Sequence, residues 1–249
     1  MFRNLSVLFV LYFSQSSFAI YGGQSLPDEF TNESVVVRIR PKQNSGNAVV
    51  CSAVIVGAQT LLTAAHCTED LQPSDYLILT DPKNGYDTSF LISSIVRHPK
   101  YRLGFKANPK IQEVGADIAV IHLRHPILFS RAQAIMAGSS MAYPLSAILI
   151  ANGETEKRNS STNLSLDLRV ESLVSFELPI LTLRSVHDHS GPCRQDSGGG
   201  IFAWVDTRYL LIGIQSTKTS GGNCGDANSL GFAVPVEENL SWILKSAIL

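Results

Sequence analysis

"LDLRVESLVSFELPILTLR", Leu166 to Arg184, is the stretch whose period decides the fold class. Apolar Leu166, Leu168 and Val170 alternate with Asp167, Arg169 and Glu171, the period of two by which a pleated strand sends successive side chains to opposite faces. Toward the N-terminus the same signal, rich in β-branched and aromatic residues, recurs in "SVVVRIR" from Ser34, "AVVCSAVIVG" from Ala48, "QTLLTAA" from Gln59, "DYLILT" from Asp75, "SFLISSIV" from Ser89, "ADIAVIHL" from Ala116 and "SAILIA" from Ser146. Toward the C-terminus it returns in "GIFAWV" from Gly200, "RYLLIGIQ" from Arg208 and "LGFAVPV" from Leu230. Many short strands with turn signals between them point to two β-barrels or sandwiches in tandem. Only Val236 to Leu249 reads as a helix, with Leu240, Ile243, Leu244, Ala247 and Ile248 on one face to pack on the body. Glu154 to Ser165, polar and turn-rich, reads as a surface loop, and no repeat or low-complexity tract is visible.

Composition sets the outer bounds. A chain of 249 residues with 45% hydrophobic content buries a large core. Its formal charge of -1 builds no long-range field, which argues against nucleic acid or an anionic membrane as partner. Residues 1–19 carry an early cation at Arg3, an apolar run from Val7 to Phe13 and small residues at Ser17 and Ala19. They read as a secretory signal peptide cut after Ala19, the run falling well short of the roughly 20 residues a spanning helix needs. The expectation is a soluble mature chain that begins at Ile20, secreted or periplasmic, with no membrane contact after cleavage. Of the three pairings that four cysteines allow, Cys51 with Cys67 and Cys193 with Cys224 closes two short loops, one in each half. Export favours disulfides there over zinc, for which the spacings are wrong.

"CRQDSGGG", Cys193 to Gly200, places Ser197 between an aspartate and three glycines, as a nucleophile on a tight turn or as a plain loop. "LLTAAHCTED" puts His66 at the end of an apolar strand, next to Cys67. "GADIAVIHL" sets Asp117 at the start of another, where a buried carboxylate needs a hydrogen-bond donor, and the His66 imidazole is the natural one. His98, His122 and His125 read as structural, and "HDH" at His187 to His189 has the wrong spacing for a metal pair.

These segments, with "IYGG" at Ile20, "RHPKY" at Arg97 and "GIQS" at Gly213, resemble in order and spacing the signatures of the trypsin/chymotrypsin family of serine proteases. The order His, Asp, Ser separates that family from α/β-hydrolases. The resemblance implies an all-β fold of two tandem antiparallel six-stranded barrels with a C-terminal α-helix. Its domains would be residues 20–130 and 131–249. It also implies a serine endopeptidase with Ser197 as nucleophile, His66 as general base and Asp117 as its orienter. Backbone N–H groups of Gln195 and Ser197 would form the oxyanion hole, and Ile20 would pair through its α-ammonium with Asp196. The expected substrates are polypeptides, with protein protease inhibitors as further partners, a monomeric state, and no cofactor or metal. "DPKNGYD" from Asp81 lies where the family's calcium loop occurs, though an Asn84-Gly85 turn explains it as well.

The chain departs from the family at three places. Gln195 stands where glycine is usual, Gly200 where proline is, and Thr217 where a tryptophan usually walls the cleft. If Gln195 must adopt a left-handed backbone, the strain is about 1 to 2 kcal/mol. The substrate pocket is expected at Gly191, Pro192, Ser216, Thr217, Lys218 and Gly231. With no carboxylate at Gly191 and an open wall at Gly231, it would favour a large uncharged P1 side chain. Gln195 and Thr217 also support a second reading, a catalytically silent homologue serving as a protein-binding module, and reaction with a fluorophosphonate separates the two. Asn32, Asn159, Asn163 and Asn239 each stand in an N-x-S context that a glycosylating host could use.

Overall fold

The computed structural model describes residues 20–31, 35–41, 51–69, 72–79, 89–105, 110–127, 134–138, 141–153, 164–174, 176–219, 224, 226 and 229–248. The expected signal peptide, the Asp81 to Asp87 segment, residues 154–163 and three of the four N-x-S asparagines lie outside these residues.

Among the described residues, twelve strands form two closed antiparallel barrels. The first contains β1 (Val36–Pro41), β2 (Cys51–Gly57), β3 (Thr60–Thr63), β4 (Tyr76–Leu79), β5 (Ser89–Arg97) and β6 (Ala119–Leu123), in the order β1-β2-β3-β6-β5-β4. The second contains β7 (Leu145–Ala151), β8 (Leu164–Leu173), β9 (Ile180–Ser185), β10 (Gly200–Val205), β11 (Arg208–Lys218) and β12 (Gly231–Pro235), in the order β7-β8-β9-β12-β11-β10. The two orders are one connectivity used twice, a repeat of topology that the side chains do not reveal. The Leu166 to Arg184 stretch resolves into β8 and β9, paired from Leu168↔Ser185 to Leu173↔Ile180.

Alternation along the strands sorts the apolar residues into separate cores. In barrel one, Ala53, Ile55, Leu61, Ile121 and Leu123 point inward. Their neighbours Val54, Leu62 and Val120 face the second barrel, where they meet Ile148, Ile150, Phe202, Ile214 and Val234. Leu149, Ala151, Leu166, Leu168, Leu181 and Ile201 fill barrel two. Strands at the junction are therefore buried on both faces, which is why β2 and β6 read as apolar runs and not as clean alternation. A cleft between two such barrels can draw its side chains from both.

The chain ends cross over. Tyr21 bridges Gly191 and Gln24 bridges Ser165, so the segment from Ile20 is laced to barrel two although it precedes barrel one. Ala134 N–H donates to Ile55 O and Ala137 N–H to Leu211 O, so the linker is tied to each barrel in turn. Among the described residues the helices are the short α1 (Asp28–Thr31) and α2 (Val236–Ala247). Helix α2 corrects the sequence expectation, because its buried residues are Val236, Asn239, Ile243 and Ser246 while Leu244 and Ile248 are exposed. Polar contacts rotate the face: Asn239 Nδ2 donates to Pro235 O at 2.9 Å, and the Ser246 carbonyl lies 2.8 Å from His122 Nε2. Asn239, 3% exposed and engaged by its own amide, is consequently a poor glycan acceptor.

Candidate active site

Barrel one supplies the histidine and the aspartate. After β3 the chain tightens into a 3₁₀ turn, Ala65–Thr68, so His66 sits just beyond the strand and not on it. The Cys51–Cys67 disulfide ties that turn back to β2. Asp117 closes the 3₁₀ turn Ile111–Ala116 immediately before β6 and is fully buried. Its cost of burial is offset by hydrogen bonds: Oδ1 accepts the His66 backbone N–H at 2.8 Å, and Oδ2 lies 2.7 Å from His66 Nδ1. The Ser216 hydroxyl donates to Oδ2 as well, from barrel two. Because an ionised carboxylate only accepts, Nδ1 carries the proton and the other imidazole nitrogen, Nε2, keeps its lone pair.

Barrel two supplies the serine. Cys193 to Gly200 is a run of tight turns closed by the Cys193–Cys224 disulfide. Gln195 has φ 71°, so the position usually held by glycine does take the left-handed backbone, on a residue that is strained by it. Gly198 has φ 83°, and a Cβ there would meet Ser52 O at 1.9 Å. Ser52 serves as the anchor of this loop, its N–H donating to Ser197 O at 2.8 Å and its hydroxyl accepting the Asn152 N–H at 2.9 Å. The Ser52 carbonyl in turn accepts from Thr63 Oγ1 at 2.7 Å. The Ser197 hydroxyl donates to Ser216 O at 2.9 Å, so Ser216, expected only as a pocket residue, touches both the serine and the aspartate.

Asp196 is fully buried behind the serine. Its Oδ2 accepts the Cys193 N–H at 2.6 Å, while Oδ1 has no hydrogen bond of good geometry. Burial pushes its carboxyl up to about 8, against which the N–H groups of Cys193 and Gly153 act only in part. A Cβ at Gly153 would lie 2.0 Å from Oδ1, so only glycine leaves room for this carboxylate. Ile20 is also fully buried, and the Tyr21–Gly191 bridge holds it to the same loop region.

At the expected pocket, Gly191 and Pro192 are both buried and Lys218 pairs with Gly231 across β11 and β12. A Cβ at Gly231 would come 2.9 Å from Pro192 Cγ, so the space that glycine leaves is taken up by the proline ring. A bulge between Gln215 and Thr217 shifts the register beside Ser216. Cys51, His66 and Cys67 bring three metal-ligand atoms within 4.8 Å of one another, but both sulfurs are engaged in the disulfide and neither is a thiolate. Ser52, Thr63 and Gly153 were not singled out from the sequence. Gly153, in the turn dipeptide Asn152-Gly153, carried the one local signal that could have found it.

The family model for trypsin matches residues 28–243. Trypsin eta of Drosophila melanogaster is 26% identical over 265 residues, an alignment covering 98% of this chain and 95% of that protein. Vitamin K-dependent protein C of Oryctolagus cuniculus is 22% identical over 228 residues, 80% of this chain but 47% of that protein, so the similarity spans about half of it. With two six-stranded barrels, two disulfides and a family match over most of its length, the chain belongs to the trypsin/chymotrypsin-like serine protease family.

Proposed function

We propose that this protein is a secreted serine endopeptidase that cleaves polypeptides through an acyl-enzyme, with His66, Asp117 and Ser197 as its triad. The observation that supports the reading is the saturated Asp117 carboxylate, which fixes the imidazole tautomer and leaves Nε2 the lone pair that a base needs. Rotation of Ser197 about its Cα–Cβ bond exchanges the Ser216 carbonyl for Nε2 as the acceptor of its proton. Ser197 Oγ then attacks the scissile carbonyl, His66 takes the hydroxyl proton, and the carbonyl π electrons move to the oxygen. The N–H groups of Gln195 and Ser197 receive that oxyanion. Collapse breaks the C–N bond, His66 delivers the proton to the leaving amine, and water repeats the sequence to free the acid.

Activation in this reading is proteolytic. Release of Ile20 after Ala19 creates an α-ammonium that pairs with Asp196, whose Oδ1 has no hydrogen bond of good geometry. Ala19 before the cut makes signal peptidase itself the releasing enzyme, and no helix among the described residues is long and apolar enough to cross a membrane. Gly191 offers no countercharge, so P1 is an uncharged side chain in preference to lysine or arginine. The second reading, a silent homologue that binds proteins, is favoured by the strained Gln195 and by the Ser197 hydroxyl held on Ser216. A fluorophosphonate decides between them. The expected result is labelling of Ser197 alone, lost in Ser197→Ala and His66→Ala. Asp117→Asn is expected to lower kcat on the order of 10⁴-fold through the wrong tautomer. An unlabelled native protein, shown to begin at Ile20, would leave the binding module.

A further inference from the structure

On the surface of barrel two, His187 stands between two groups that it cannot satisfy together. Its Nε2 lies 3.1 Å from Asp167 Oδ2 and 3.1 Å from Gln24 Nε2. An ionised carboxylate only accepts, and an amide nitrogen only donates. A proton on Nε2 therefore serves Asp167 and opposes Gln24. A bare Nε2 serves Gln24 and sets two lone pairs against each other at Asp167. A half-turn of the Gln24 amide exchanges Nε2 for Oε1, and three lone-pair atoms from three separate segments then meet. The companions that "HDH" lacks within its own segment are thus supplied by two others.

The backbone behind each of the three is fixed. The His187 carbonyl accepts the Ser190 hydroxyl at 2.8 Å and the Ser185 hydroxyl at 3.1 Å, and its N–H donates to Ser185 Oγ at 3.2 Å. The Val186 N–H donates to Asp167 O at 3.1 Å, which ties the end of β9 to β8 beside the pair. Gln24 and Ser165, two residues before Asp167 on β8, exchange both backbone hydrogen bonds, at 2.8 and 3.0 Å. The side chains of His187 and Asp167 are 47% and 48% exposed, so an ion from solvent reaches them directly.

The donor set selects the ion. One imidazole nitrogen, one carboxylate and one amide oxygen suit zinc, whereas calcium takes six to eight oxygens. Ligand bonds of about 2.0 to 2.1 Å in a tetrahedral zinc centre put the ligand atoms roughly 3.3 to 3.4 Å apart. The two separations at His187 Nε2 fall just short of that, within reach of small movements of half-exposed side chains. We propose that Gln24, Asp167 and His187 form a zinc site with water as the fourth ligand, and that zinc there clamps the segment following Ile20 to β8. The site shares no residue with the triad, and the inference does not depend on the endopeptidase reading.

The test is calorimetric titration of the full chain, stripped with a chelator and dialysed, with zinc chloride. The native protein should bind zinc in the micromolar range. His187→Ala and Asp167→Asn should each weaken binding by at least about tenfold, since even a group one shell out from the ion is worth about 10- to 100-fold. Gln24→Glu keeps the length and adds a charged oxygen, and it should tighten binding by about tenfold. Excess zinc should raise the thermal unfolding midpoint of the native protein and leave that of His187→Ala unchanged. His66→Ala should bind as the native protein does, which separates this site from the triad imidazole. If His187→Ala does not fold, Asp167→Asn and Gln24→Glu decide by moving the affinity in opposite directions. Native protein that binds no zinc, native affinity in both Asp167→Asn and Gln24→Glu, or binding lost in His66→Ala would each overturn the site.

Discussion

Gln195 and Gly198 share one loop and one half of backbone space, and they should respond to substitution in opposite ways. Gln195, at φ 71°, carries a Cβ in a region that disfavours it by about 1 to 2 kcal/mol. Glycine there relieves that strain but loses more conformational entropy on folding, about 0.5 to 1 kcal/mol. Gln195→Gly should accordingly raise stability by up to about 1 kcal/mol and leave kcat unchanged or higher. Gly198→Ala forces a Cβ to 1.9 Å from the Ser52 carbonyl, a backbone atom that is itself held by Thr63. It should cost at least about 3 kcal/mol. Urea midpoints for the two variants check both signs. A tenfold fall in kcat/KM for Gln195→Gly, about 1.4 kcal/mol, would instead make the glutamine side chain a working part of the site.

Helix α2 joins the barrels, and two of the three histidines read from sequence as structural are what it lands on. His98 meets Trp242 edge to face at 5.0 Å, and His122 reaches the Ser246 carbonyl. Glu237 and Glu238 in the first turn and Lys245 in the last complement the helix dipole. Burial, and then the Lys100 cation, lower the His98 pKa, while His98 Nδ1 accepts the Lys100 backbone N–H at 3.3 Å. A base with a depressed folded pKa takes up its proton more readily when unfolded. Its contribution is therefore intact above the unfolded value of about 6.5 and is lost as pH falls from there through the lower folded value. Urea midpoints at pH 7.5 and pH 5 should show a loss on acidification that shrinks in His98→Gln. An equal loss in both proteins would place the acid sensitivity elsewhere.

The molecule as a whole holds a buried carboxylate, Asp196, whose part in the proposed activation turns on the bond before Ile20. With that bond present, Asp196 is raised to about 8 by burial, so its contribution is fully present below the usual carboxylate pKa and is lost as pH rises toward 8. Asp196→Asn should then stabilise the uncleaved chain at pH 8. On the activation proposed above, the ammonium of a chain that begins at Ile20 would favour the ionised form, and removing one partner of such a buried pair costs about 3 kcal/mol or more. There the same substitution should destabilise and abolish peptide cleavage. Thermal unfolding of both forms, with and without the substitution, reads the sign directly. Destabilisation of equal size in both forms would remove the ion pair from the activation step.

The strand periods, the two short disulfide loops and the order of His66, Asp117 and Ser197 were all legible in the chain, because each depends on near neighbours or on residue type at fixed spacing. Even the left-handed demand at Gln195 could be framed beforehand, because the family resemblance puts glycine at that position. Only the tertiary structure decided what faces what across the barrels. Ser216 on Asp117, Ser52 beneath Ser197, Gly153 against Asp196, and Phe105 over His66 join residues far apart in the chain and carry no local period. Helix α2 shows the same limit from the other side. Its apolar pattern favoured Leu244 and Ile248, but the buried face followed the hydrogen bonds of Asn239 and Ser246, because a buried polar group must find its partner wherever the fold has placed it.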